Sequence, residues 1–298
     1  MKMRVHHIIV LIVGIALTAC GPFNKLEKST NWEELYAGAN KYYQEGEYNK
    51  AIILYDKVLP VIRGSEKAEL ADYNYANCHF KTKRYIEAAG YFNNFYRTYN
   101  RSPLAEEALF MRAYALYLDA PDFNLDQQSS QEAVGAIQQF VTLFPGSASY
   151  ERAMEMLTDL EKRFEEKAYQ QAEMYYTLKD GLYPGQNMRA CAISIQNFAK
   201  DYPESKYNEE LAYKLVEVTT KYAENSVYAK KEERLTDALR FAGVFYRKYP
   251  ESAYTSEVEK YEAEAREEMQ EHLELKQQVA ERRAVLEAEK KELPSNNN

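Results

Sequence analysis

The sequence predicts an all-α fold, an array of about five helical hairpins closed by a long charged C-terminal helix. Three observations predict it. A turn signature occurs five times: a bulky apolar residue, three residues, a second apolar residue, two residues, then Ser. It reads Val58–Ile62–Ser65, Phe95–Tyr99–Ser102, Phe140–Phe144–Ser147, Phe198–Tyr202–Ser205 and Phe245–Tyr249–Ser252. Pro145, Pro203 and Pro250 follow the second apolar residue in the last three; Pro lacks the N–H that would continue a helix. The Ser is placed to cap the next helix. Second, a small residue recurs four positions before a larger one, at Ala51–Tyr55, Ala88–Phe92, Ala133–Ile137 and Cys191–Ile195, fading to Ala238–Ala242. Such pairs let two helices approach at the small residue and fill the gap beside it. Third, 298 residues hold only 11 Gly and 9 Pro, so regular structure should dominate.

The elements follow in order. Residues 1–19 read as an export signal: Lys2 and Arg4 precede an apolar run, Ile8 to Leu17, too short to span a bilayer. The run ends in Leu17-Thr18-Ala19-Cys20, which resembles the lipobox of bacterial lipoproteins. That resemblance implies cleavage before Cys20, a diacylglycerol on its sulfur and an acyl chain on the new amine. It also favours the outer membrane, because Gly21 stands where an Asp would retain such a protein at the inner membrane. No acidic run follows to signal export to the cell surface. Residues 20–30 form a tether that spans at most about 40 Å when extended.

Hairpin one begins near Trp32, and residues 42–59, YYQEGEYNKAIILYDKVL, match the second half of a tetratricopeptide repeat. Residues 31–147 hold repeats one to three and residues 148–254 repeats four and five. The spacing exceeds the usual period of about 34 residues. The excess falls in a long turn, Asp119–Ser130, in a helix from about Ala148 to Leu178, in the loop Asp180–Asn187 and in the turn Asn225–Val227. Beyond Ser252 a charged helix keeps apolar residues in a seven-residue phase, Val258, Ala265, Val279, Leu286 and Leu293, but charges occupy the companion positions. It reads as a solvated cap on the array, with a partner-binding helix as the alternative. Residues 294–298 read as disordered.

Composition excludes several functions. A net charge of −8 argues against nucleic acid. After the signal only His79 and His272 remain, with no phosphate loop, nucleophile elbow or zinc motif, so no enzyme, metal or cofactor is expected beyond the lipid on Cys20. His79 falls at a packing position, and Cys78 and Cys191 lie in separate repeats, so all three read as core residues rather than a catalytic group or a disulfide. A peptide groove is better supported. The first helices of such hairpins line the concave side, which puts Tyr36, Asn40 and Tyr43 of repeat one on it. Tyr73, Asn77 and Phe80 follow from repeat two, and Phe110, Tyr114 and Tyr117 from repeat three. Asn can grip an extended backbone while rings supply apolar pockets. Lys81, Lys83 and Arg84 lie near enough to attract a carboxylate.

With a lipobox, an immediate first repeat, and the runs YFNNFYRTYNRSPLAEEALFMRAYALY and FVTLFPGSASYERA, the chain resembles the BamD family of outer membrane protein assembly lipoproteins over about residues 31–255. The resemblance implies five tetratricopeptide-like repeats and a lipid-anchored place on the periplasmic face of the outer membrane. It implies two partners: the periplasmic domains of a BamA-type barrel protein, held by repeats four and five, and unfolded barrel precursors, received by the N-terminal repeats. High Tyr content and the extended charged C-terminal helix depart from the family pattern. Two other envelope repeat proteins stay open as alternatives, a cell-wall coordination scaffold and a glycan-binding lipoprotein.

Overall fold

The computed structural model describes residues 22–292. The expected export signal, Cys20 and the expected disordered tail lie outside the described residues. Among those described there are twelve helices and no strand. They are α1 (Pro22–Glu27), α2 (Trp32–Gln44), α3 (Tyr48–Ile62), α4 (Glu66–Lys81), α5 (Tyr85–Thr98), α6 (Ala105–Asp119), α7 (Gln128–Leu143), α8 (Tyr150–Thr177), α9 (Pro184–Asp201), α10 (Asn208–Glu224), α11 (Tyr228–Lys248) and α12 (Thr255–Glu292). The chain divides into two compact units between Lys162 and Arg163, inside α8 and downstream of the 147/148 boundary expected from the repeats.

In both units the hairpins close on the small–large pairs. Ala51, Ala88, Ala133, Cys191 and Ala238 are buried, and so are their partners Tyr55, Phe92, Ile137, Ile195 and Ala242. The faded pair therefore packs as the strong ones do. Cys78 and Cys191 are buried free thiols, and burial pushes each up to about 12, which suits inert packing.

The turn signature has a sharper geometry than expected. Its first ring is buried and meets the second at 5.1 Å in Phe95–Tyr99, 5.9 Å in Phe140–Phe144, 5.2 Å in Phe198–Tyr202 and 5.6 Å in Phe245–Tyr249. The second aromatic ends the helix, donating its N–H to the carbonyl of the first. The Ser hydroxyl does not cap the following helix. At Ser102, Ser147, Ser205 and Ser252 it accepts the N–H two residues on and folds a turn ahead of helices that begin three residues later. Ser65 makes no side-chain cap, and α4 starts directly after it.

Four other local outcomes refine the reading. Part of the expected tether is helical: α1 packs Phe23 edge-on to Tyr42 at 5.4 Å and Leu26 over Gly38, where an added Cβ would meet Leu26 at 2.2 Å. The long turn before α7 is pinned by Gln127, which donates to the carbonyls of Asp122 and Leu125 and accepts from Ser130. α9 starts at Pro184, inside the stretch expected as loop, because Pro at the first helical position lacks only an N–H that is unpaired there anyway. α12 uses only part of its seven-residue phase: Val258, Ala265 and His272 are buried, while Val279 and Leu286 are exposed.

Candidate functional site

The first helices of unit 1 bring six of the nine expected groove residues into one row. From α2 comes Tyr43, half-buried, whose hydroxyl receives a hydrogen bond from Asn77 Nδ2 of α4 at 2.8 Å. One turn on, Phe80 meets Tyr114 of α6 at 5.6 Å. Tyr114 in turn stacks with Phe110 at 5.9 Å and with Tyr117 at 6.5 Å. All these rings are half-buried, so each keeps an exposed part. At the far end, Tyr117 donates its hydroxyl to Asp159 at 3.0 Å, and the Arg152 guanidinium lies over Tyr114 at 6.0 Å.

The other three residues sit elsewhere. Tyr73 is core: it is 7% exposed and packs edge-on against Phe92 at 5.8 Å and Phe95 at 5.5 Å. Burial raises its hydroxyl pKa, and the neighbouring Glu107 raises it further. Asn40 is consumed internally, its Oδ1 accepting from Tyr55 at 2.8 Å and from Asn74 at 3.4 Å. Tyr36 lies apart from the row beneath the Lys67 ammonium, 5.4 Å from its ring. Helical spacing alone could not separate these three from the six, because the face of a first helix also packs against its neighbours.

Asn77 is the polar centre of the row. Its Oδ1 is buried and has no partner. Exchanging the amide ends would satisfy the oxygen and leave the nitrogen bare, so either way one buried end is unpaired.

A basic cleft adjoins the row. It holds about 360 Å³ and is lined by Gly46, Glu47, Tyr48, Lys81 and Arg84, among others, two cations against one carboxylate. Tyr48 joins the two features, with its ring 6.0 Å from that of Tyr43. The sequence reading missed Tyr48 and its counterpart Tyr85, which packs 5.7 Å from Phe80. The readable signal is the 37-residue offset from Ala51 to Ala88, which aligns Tyr48 with Tyr85. Each stands two residues after a left-handed helix end, Gly46 at φ 76° and Lys83 at φ 60°. Both ends close with the same paired bonds, Gly46 and Lys83 donating to Tyr43 and Phe80, and Glu47 and Arg84 to Tyr42 and His79.

Unit 2 treats its tyrosines differently. Tyr169 and Tyr207 stack at 3.9 Å, and Tyr207 donates to Glu166. Tyr176 and Tyr213 both donate to Glu217. Lys214 bridges Glu173 and Glu210 at 2.6 Å each, and Lys221 meets Glu217 at 2.9 Å. Burial works to lower Lys214, but its two carboxylates outweigh it and hold the ammonium above its ordinary value. Burial likewise pushes Glu217 up, and Tyr176, Lys221 and Lys179 together bring it below the usual carboxylate value. The rings and charges of this seam satisfy one another.

Helical hairpins joined at buried small–large pairs define a tetratricopeptide-type scaffold. Among the described residues no cluster of ligating side chains could hold a metal, and no helix is long and apolar enough to cross a membrane. The family model YfiO, described as outer membrane lipoprotein, matches residues 28–183 and again residues 148–288, and the chain belongs to that family. It is also similar to three relatives at 25% identity. One, from Neisseria meningitidis serogroup B (strain ATCC BAA-335 / MC58), is named outer membrane protein assembly factor BamD; the match covers 68% of this chain and 81% of that protein. A protein of Aquifex aeolicus (strain VF5), provisionally given the same name, matches over 69% of this chain and 66% of its own length. The BamD of Caulobacter vibrioides (strain ATCC 19089 / CIP 103742 / CB 15) matches over 45% and 46%. The names of these relatives are those of an assembly factor, not of an enzyme. A solved tetratricopeptide-repeat protein from Bacteroides fragilis NCTC 9343 covers 80% of this chain and 99% of its own, at 18% identity and a TM-score of 0.34.

Proposed function

We propose that this protein is an outer membrane lipoprotein of the β-barrel assembly machinery. It is anchored on the periplasmic face through lipid on Cys20. The row in unit 1 receives unfolded barrel precursors, and repeats four and five hold a BamA-type barrel protein through its periplasmic domains. The observation that carries the first role is the row itself, half-exposed rings around a half-satisfied Asn77 and ending at a basic cleft. A precursor segment that ends in an aromatic residue and a carboxylate offers a ring to the row and an anion to Lys81 and Arg84. Names of relatives support the assembly role, and membership of an outer membrane lipoprotein family supports the location.

The test is binding of a fluorescent peptide with a barrel-type C-terminus to the purified chain. Tyr43→Ala with Phe80→Ala should weaken it by about tenfold or more, since truncating a ring at the centre of an interface costs more than about 1 kcal/mol. A folded double mutant with unchanged affinity removes the row from the reading. For the second role, mild-detergent purification from the native envelope should yield a stoichiometric barrel protein with periplasmic repeat domains. A cell-wall synthase or a carbohydrate transporter in its place would overturn the assembly reading.

A further inference from the structure

A second recess in unit 1 has no place in the reading above. It holds about 520 Å³ between α3, α4 and α5, and its lining includes Asp56, Arg63, Asp72, Tyr75, Tyr91 and Tyr99. On α4, Tyr75 lies 200° around the helix from Asn77, at about 100° per residue, so the recess opens on a different face from the row.

Two carboxylates face this recess, and each is half-used. Tyr75 donates its hydroxyl to Asp56 Oδ1, and Tyr99 donates to Asp72 Oδ2 at 2.8 Å. The hydroxyls of Tyr75 and Tyr91 lie 3.3 Å apart. Since Tyr75 has one hydrogen and Asp56 takes it, Tyr91 donates in that contact. Neither Asp56 Oδ2 nor Asp72 Oδ1 has a donor among the described residues, and neither carboxylate is in an ion pair. Arg63 also lines the recess; its charge acts on Asp72 and works to lower that carboxyl, but it is in ion-pair contact with neither carboxylate. Two anions and one cation leave it one negative charge in excess, walled by three tyrosine rings.

We propose that this recess receives an arginine side chain presented by a partner polypeptide. A guanidinium carries donors on more than one edge, so it can reach free carboxylate oxygens on two walls, and its flat face stacks on tyrosine. An ammonium is a compact, strongly hydrated charge and matches neither feature. The three-carbon stem of an arginine lies along the Leu59 and Pro60 side of the lining. One cation neutralises the excess charge, so the recess takes one arginine and not a basic run. A metal ion is disfavoured, because no set of three ligating side chains converges among the described residues. Asp72 already carries a desolvation cost that raises its pKa, and an arriving cation relieves it.

The test is ligand-observed saturation-transfer NMR on the full chain in detergent, with acetyl-Gly-Arg-Gly-amide as probe. Its citrulline analogue has the same shape without the charge, and its lysine analogue the charge without the shape. Saturation of the arginine methylenes is expected, with citrulline and lysine weaker by about tenfold, equivalent to about 1.4 kcal/mol. Asp56→Asn and Asp72→Asn, each shown to be folded by its unfolding curve, should each abolish the signal, and Arg63→Gln should strengthen it. Equal signals from arginine and citrulline, or an arginine signal that survives both Asp variants, would overturn the proposal. The Tyr43→Ala, Phe80→Ala variant separates the sites: it should leave the arginine signal intact. Loss of the signal there would place the probe in the row and refute the recess.

Discussion

At the scale of single residues, Lys83 is the position where local preference and position disagree. It takes a left-handed conformation, φ 60°, that its counterpart Gly46 adopts at φ 76°. A Cβ in that region costs roughly 1–2 kcal/mol. Strain of this kind tends to persist where a side chain has a task, and here the neighbours Lys81 and Arg84 line the basic cleft. Lys83→Gly should therefore raise the unfolding free energy by about 1 kcal/mol, after part of the relief is offset by the greater freedom of Gly in the unfolded chain. The same variant should weaken binding of carboxylate-terminated peptides. Chemical denaturation and peptide titration check the two halves. Residue identity could be read from the sequence more safely than residue role. The first rings of the turns all fell in the core, because an aromatic four residues before a helix end has one packing solution. Tyr73 and Asn40 could not be told from Tyr43 and Asn77, because burial depends on which neighbour covers a first helix, and periodicity does not record that.

At the scale of elements, the polar seam joining α8 and α10 gives unit 2 a pH dependence. Glu217 is buried with Tyr176, Lys221 and Lys179 around it, and its folded pKa lies below the ordinary carboxylate value. A carboxylate depressed on folding contributes stability that is complete above its unfolded pKa, about 4.3, and is lost as pH falls through the lower folded value. Glu217→Gln should flatten that acid-side loss. At neutral pH it should destabilise unit 2 by on the order of 1–3 kcal/mol, because Lys221 loses its carboxylate and Lys179 keeps only Asp180. Thermal melts from pH 7 to pH 3, with a probe in α10, would check both signs. His79 acts in the same direction in unit 1. Burial lowers its pKa, and Arg84 lowers it further, so the folded form binds fewer protons and stability declines as pH drops below about 6.5. The helices from α2 onward were legible, since apolar spacing and Pro mark them directly, whereas α1 falls in a stretch that reads as a tether. The seam was not, because its partners sit 41 residues apart in the chain, Tyr176 with Glu217 and Lys214 with Glu173.

At the scale of the molecule, the two units divide their chemistry. Unit 1 leaves rings and a basic cleft open around a buried, unpaired amide end, while in unit 2 Tyr176, Tyr207 and Tyr213 give their hydroxyls to its own carboxylates. An overall charge of −8 makes the basic cleft a local exception that favours anionic chain ends over general attraction. The packing of α1 on α2 bears on how that site is presented. Gly38→Ala would push a methyl into Leu26 and should loosen α1, read as faster amide exchange across residues 22–27 with α2 unchanged. In the sequence only Gly21 stands between Cys20 and Pro22, so that cysteine can reach at most about 7 Å from the start of α1. A lipid on that cysteine would then act as a bolt rather than a mooring line: the first hairpin would meet the bilayer at a preferred angle, and a chain end emerging nearby would find the row already aimed.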